Sequence, residues 1–242
     1  MTAGDYDEAV RQFDGGLSLS PGNQTFLTNK SVALRSRGAV RYNASLKLED
    51  EAARAYEKEA VRREIVEAAA LATDAVGRMK SANVWDAVWN AEAYETNRPV
   101  AFAARAQALS LLASRFDKSR ADEALAAMRE YMEVEPDGPR KMQARLYAGQ
   151  MLLDVGRGAE AAAEYRKVLA ADPANLDATL GAGLGLFQSG DRARYAEAET
   201  HLRRFVERAP ENHPLRTSAK DALDFMSQHG TPPAPGGADP RR

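Results

Sequence analysis

The sequence predicts an all-α protein built as a solenoid of stacked helix–turn–helix units. The first observation behind this is a ladder that recurs every 37 residues in the C-terminal half: Ala124, Ala161 and Ala198, each preceded by a glutamate (Glu123, Glu160, Glu197). Four residues after each alanine stand Met128, Tyr165 and Leu202; seven after, Tyr131, Val168 and Phe205; eight after, Met132, Leu169 and Val206; twelve after, Pro136, Pro173 and Pro210. A period of this size belongs to supersecondary units that bury their apolar faces only by stacking on one another. The second observation is the spacing itself, because offsets of four, seven and eight place the apolar residues on one stripe of a helix. The third is that no stretch alternates apolar and polar residues as a half-buried strand does.

Taken in order, residues 1–23 carry half a unit, with Glu8-Ala9, Phe13, Gly16, Leu17 and Pro21 reproducing the ladder. Residues 24–80 make an enlarged unit. Its first helix holds Phe26, Leu27, Val32, Ala33 and Leu34 and runs on through Val40, Tyr42, Leu46 and Leu48, with only Gly38 interrupting. Glu51 to Met79 has no proline and one glycine, Gly77, and is rich in good helix formers. It predicts one long helix with Ile65, Val66, Ala69, Ala72 and Val76 as its buried face, so that the pair projects as a hairpin beyond its neighbours. Residues 81–137 make a second enlarged, degenerate unit. One segment begins at Val84, Trp85, Val88 and Trp89, and another runs from Pro99 to Phe116.

Residues 138–174 and 175–211 are regular units. Their first helices, Arg145 to Val155 and Thr179 to Gln188, are closed by Gly156-Arg157-Gly158 and Ser189-Gly190-Asp191. Their second helices are followed by Pro173 and Pro210, and proline cannot continue a helix because it lacks the N–H and clashes with the preceding turn. Residues 212–228 predict a capping helix with Leu215, Ala219, Ala222, Leu223 and Met226 on its apolar face. Residues 229–242 hold four prolines and three glycines, a composition that builds no core, and are expected to form a disordered, dispensable tail.

The run Gly4-Asp5-Tyr6-Asp7-Glu8-Ala9, followed by Phe13, Leu17 and Pro21, resembles the second half of the tetratricopeptide repeat motif. Gly149 and Gly183 stand where that family has a small residue at the crossing of a unit's two helices. Ala161, Tyr165 and Pro173 match its later signature sites. The resemblance covers 1–37 and 117–226 and is poor over 38–116. It implies a right-handed α–α superhelix, one array over residues 1–228. The family's usual unit is about 34 residues, and the excess here sits in the turn from Gly190 to Tyr195. It also implies that the chain starts in mid-repeat, as a fragment of a longer protein would.

Composition narrows the function. A solenoid of 242 residues reads as one array, because each unit contacts only its neighbours. A net charge of −2 offers no basic stripe for nucleic acid. No run of about 18 apolar residues is present to insert into a membrane. The absence of cysteine removes disulfides and thiolate metal sites and leaves the compartment open. The default is cytoplasmic, or periplasmic if a lost upstream segment carried an export signal.

No catalytic, cofactor or metal site emerges. His201, His213 and His229 are the only histidines, and no metal or nucleophile spacing joins them. Gly181-Ala182-Gly183-Leu184-Gly185 has the composition of a nucleotide loop, which requires a preceding strand. Its glycines fall inside a repeat helix, so close packing explains them. Glu57, Glu59, Glu64 and Glu67 among Lys58, Arg62 and Arg63 read as a solvated helix face with i,i+4 pairs. Trp85 and Trp89 fill the junction between the enlarged units or, in the sharper reading, form an exposed anchor for a partner.

The resemblance implies a concave face, lined by the first helix of each unit, that cradles a peptide or helix of a partner protein. One subgroup of the family grips a C-terminal carboxylate there with Lys, Arg and Asn, and Asn29 falls at such an asparagine position. The other units depart from that pattern. Their concave positions are Gln143, Leu146, Tyr147, Gln150 and Leu153, then Asp177, Leu180, Leu184 and Phe187. That face is apolar with amide edges and has no clamp of cations, so an apolar partner segment is expected, with Tyr147 and Phe187 as its main contacts. The sequence therefore reads as a non-catalytic protein-interaction scaffold. The alternative is a structural module that docks neighbouring domains or self-associates through the incomplete N-terminal unit.

Overall fold

The computed structural model describes residues 3–81 and 91–229. Among these residues every regular element is helical, ten α-helices and two single 3₁₀ turns, with no strand. The chain divides into two compact units, Met1–Lys141 and Met142–Arg242.

The first unit holds α1 (Ala3–Leu19), α2 (Gln24–Ser45), α3 (Glu51–Ser81), α4 (Ala91–Arg115) and α5 (Ala121–Val134). Helix starts follow local chemistry. The Asn23 side chain accepts the Phe26 N–H at 3.0 Å and Asp50 accepts that of Ala52 at 2.8 Å, each satisfying a donor that the first turn leaves unpaired. α1 packs on α2, α2 on α3, α3 on α4 and α4 on α5. Val61, Ile65 and Leu112 are buried at the α3–α4 contact with Tyr42, Leu111 and Phe116 around them, the Tyr42 and Phe116 rings meeting edge-on at 5.5 Å.

Four expectations for this unit are corrected. α2 stops at Ser45, whose hydroxyl bonds back to the Tyr42 carbonyl at 2.7 Å, and Val40, Leu46 and Leu48 are exposed. Val66 is exposed as well. The buried seam of α3 runs through Val61, Ile65, Ala68, Ala72, Val76 and Met79, and a residue next to Ile65 falls about 100° off that seam. α4 begins at Ala91, with Pro99 inside it rather than at its start. A proline there removes one backbone hydrogen bond, and the packing of α4 on both α3 and α5 holds the helix through it. Finally, most of the glutamates on α3 are not a solvated face. Three cations of α2 are clamped by acids of neighbouring helices: Lys30 between Asp14 of α1 (2.8 Å) and Glu67 of α3 (2.7 Å), Arg37 between Asp7 of α1 (2.5 Å) and Glu64 of α3, and Arg41 by Glu57 (2.7 Å) and Glu64 (3.0 Å), both of α3. Glu64 is buried; Glu59 alone keeps the expected pairs along the helix, with Arg62 and Arg63. Val84, Trp85, Val88 and Trp89 lie outside the described residues.

The second unit runs from within α6 (Pro139–Val155) through α7 (Gly158–Ala171), α8 (Leu176–Gln188), α9 (Tyr195–Arg208) and α10 (Arg216–His229). Gly156 (φ 91°) and Gly190 (φ 70°) end α6 and α8 in the left-handed region, which a residue with a β-carbon rarely enters. α7 packs on α8, α8 on α9 and α9 on α10. The ladder points inward: Ala161, Tyr165 and Val168 on α7 and Ala198, Leu202 and Phe205 on α9 are buried, as are Ala124, Met128 and Tyr131 on α5. Each such side chain of valine size or larger contributes about 1.5–3 kcal/mol relative to exposure. α10 starts one residue after Leu215, which is exposed rather than on the buried face. It extends to His229, the first residue expected in the tail; residues 230–242 lie outside the described ones.

Candidate partner-binding groove

The sequence of α6 places Gln143, Leu146, Tyr147 and Gln150 at successive i, i+3, i+4 and i+7 positions, one face of the helix. Asp177, Leu180, Gly181 and Leu184 repeat that spacing on α8. These two stripes, with Leu153, Tyr165 and Leu215, line a cavity of about 290 Å³ in the second unit. The expected residues Gln143, Leu146, Tyr147, Gln150, Leu153, Leu180 and Leu184 are thus brought together on one hollow. Tyr147, Gln143 and Gln150 are exposed at its edge; Leu146, Leu153 and Leu184 are half-buried; Leu180 is buried and also belongs to the core.

Tyr165 of α7 is 3% exposed. Its ring is held between two glycines. A β-carbon on Gly149 of α6 would lie 2.7 Å from the ring, and one on Gly181 of α8 would overlap it outright. At the far end of the helices the Gln188 amide donates to the Leu153 carbonyl at 3.0 Å, tying α8 to α6. Burial pushes the Tyr165 hydroxyl well above the usual tyrosine range, and the Asp154 and Asp177 carboxylates add to that. It therefore stays protonated. Asp154 in turn accepts from the Gln150 amide at 2.9 Å. Among the described residues, no lysine or arginine lines the cavity.

Two expected contacts stand elsewhere. Phe187 packs against Tyr195 at 5.9 Å and edge-on to Phe225 at 5.5 Å, and does not line the cavity. Asn29 is half-buried on α2 of the first unit, next to the clamped Lys30. Sequence reasoning missed Leu215 and the floor residues Tyr165 and Gly181 as groove residues. The repeat spacing marks Tyr165 as a packing residue, and Leu215 stands in a turn, where no periodicity flags it.

Other candidate chemistry can be placed. Gly181, Gly183 and Gly185 lie in the interior of α8, where a β-carbon on Gly183 would come within 2.8 Å of Leu202. His201 is half-buried on α9, and His213 meets the Phe205 ring edge-on at 5.0 Å. Among the described residues, no three His, Asp or Glu side chains gather as a metal site, and no helix is long and apolar enough to cross a membrane.

Residues 106–176 match the tetratricopeptide repeat family model, a stretch that runs from within α4 through α5, α6 and α7. That stretch is similar to tetratricopeptide repeats, units that generally mediate protein–protein interactions. No curated protein matches the chain at a significant level.

Proposed function

We propose that the chain is a non-catalytic protein-binding scaffold whose groove between α6 and α8 receives an apolar segment of a partner protein. The observation that carries this reading is the hollow itself: two helix stripes supply leucines and an exposed Tyr147 around a tyrosine floor, with Gln143 and Gln150 at the edge. Exposed aromatic and leucine side chains beside a preformed hollow supply binding energy, and edge amides fix the register of the incoming chain. The family's general use as an interaction surface supports the same reading.

The test uses residues that are exposed and therefore dispensable to the fold. Tyr147→Ser/Leu215→Ser should retain the helical circular dichroism and cooperative melting of the parent. A partner captured by the parent chain and identified by mass spectrometry should be lost by the double variant. Capture at parental levels by the folded double variant overturns the reading.

A further inference from the structure

We propose that the groove selects a partner segment in which an apolar side chain is flanked by a lysine or arginine, the apolar group entering between α6 and α8 and the cation meeting Asp177 on the rim. This rests on the reading of the groove as the partner site and adds the chemistry of its occupant. Size comes first. A cavity of about 290 Å³ sits at the lower end of ligand-sized pockets, roughly 300–1,000 Å³. It admits one or two side chains, not a whole helix, and leucines on three elements (Leu146, Leu184, Leu215) make its walls apolar.

Charge decides the neighbour. Asp177 is exposed in the first turn of α8, on the rim of the hollow. The Asp154 and Asp177 carboxylates both bear on the Tyr165 hydroxyl. The cations nearby in sequence are engaged elsewhere. Arg145 and Lys167 pair with Glu164 (3.5 and 2.6 Å), Arg166 pairs with Glu197 (2.6 Å), Arg204 donates to the Pro173 carbonyl (2.8 Å), and Arg216, next to Leu215, donates to the Ala209 carbonyl (2.6 Å). An apolar hollow with a negative rim is complementary to an apolar–basic segment and repels an acidic one or a C-terminal carboxylate.

A random peptide library displayed on phage and panned against the full chain tests this, with the enriched peptides then measured by fluorescence polarisation. The expected peptides carry a leucine- or phenylalanine-sized residue next to Lys or Arg. Changing that Lys or Arg to Gln in the peptide should weaken binding roughly two- to fivefold in low salt and much less in high salt. The same change should have little effect against Asp177→Asn, a near-isosteric exposed substitution whose folding is checked by melting. Enrichment of acidic peptides, or an equal loss on the parent and Asp177→Asn, overturns the basic-neighbour inference while leaving the groove in place. Enriched peptides that bind Tyr147→Ser/Leu215→Ser as tightly as the parent overturn both.

Discussion

Tyr165 ties the repeat ladder to the groove, because its ring is gripped by Gly149 and Gly181 and also lines the hollow. Gly181→Ala should destabilise the chain by roughly 1–3 kcal/mol, the usual cost of overpacking a close contact. In a Tyr165→Leu background the cost should shrink, and urea unfolding of the four chains in a double-mutant cycle measures the difference. Equal costs in both backgrounds would mean that the ring is not what the glycine accommodates. Ala161 and Ala159 supply a second comparison on α7. Ala161 is fully buried and Ala159 exposed, so Ala161→Trp should lower the melting temperature far more than Ala159→Trp. The ladder made Ala161 legible because its neighbours recur at fixed offsets in three copies. Leu215 was legible only as an apolar residue, and its place at the groove depends on how the turn before α10 folds back, which no periodicity encodes. Phe187 was legible as a face of α8, but spacing along one helix cannot distinguish a surface that faces solvent from one covered by Tyr195 and Phe225.

The same limit operates between elements. Pairs within α3, such as Glu59 with Arg62 and Arg63, are readable from spacing. The clamps on Lys30, Arg37 and Arg41 are not, because their partners come from other helices, 16 to 37 residues away for those on α3. Glu64→Gln should cost about 1–3 kcal/mol. That is less than the loss of a fully buried pair, since Arg37 keeps Asp7 and Arg41 keeps Glu57. Glu59→Gln on the exposed face should leave the melting curve unchanged, and the two thermal scans compared at neutral pH check both statements. The clamp also has a pH signature. The hydrogen bond from the Arg41 guanidinium holds the Glu57 carboxyl below its ordinary value of 4.5. A folded value below the unfolded one means that this pair lends stability above pH 4.5, which drains away as pH falls through the lowered value. The melting-temperature gap between the parent and Glu57→Gln should therefore be constant from about pH 7 to about pH 5 and close as the pH falls below 4.5. A gap that persists undiminished in acid would remove the Arg41 pair as its cause.

At the scale of the chain, helix class was legible for the described elements because each keeps a helical period, even where the ladder fades in α2, α3 and α4. The division into two units was not, because the break between Lys141 and Met142 falls inside α6, whose sequence runs on without a proline or glycine at that point. Each unit nonetheless has its own buried centre: Val61, Ile65 and Leu112 in the first, Leu186, Leu202, Phe205 and Met226 in the second. In a repeat architecture stability is approximately a sum of local terms and nearest-neighbour contacts, so a core defect should act near its own site. Ile65→Ala and Leu202→Ala each remove a fully buried branched side chain and should each cost roughly 2–5 kcal/mol. Native-state hydrogen exchange locates that cost. Ile65→Ala should speed exchange in α2, α3 and α4 and leave α8 and α9 near parental rates, while Leu202→Ala should do the reverse. Faster exchange spread evenly over both units from either variant would show that the chain opens as one cooperative body, and the separate cores would then have no separate energetic meaning.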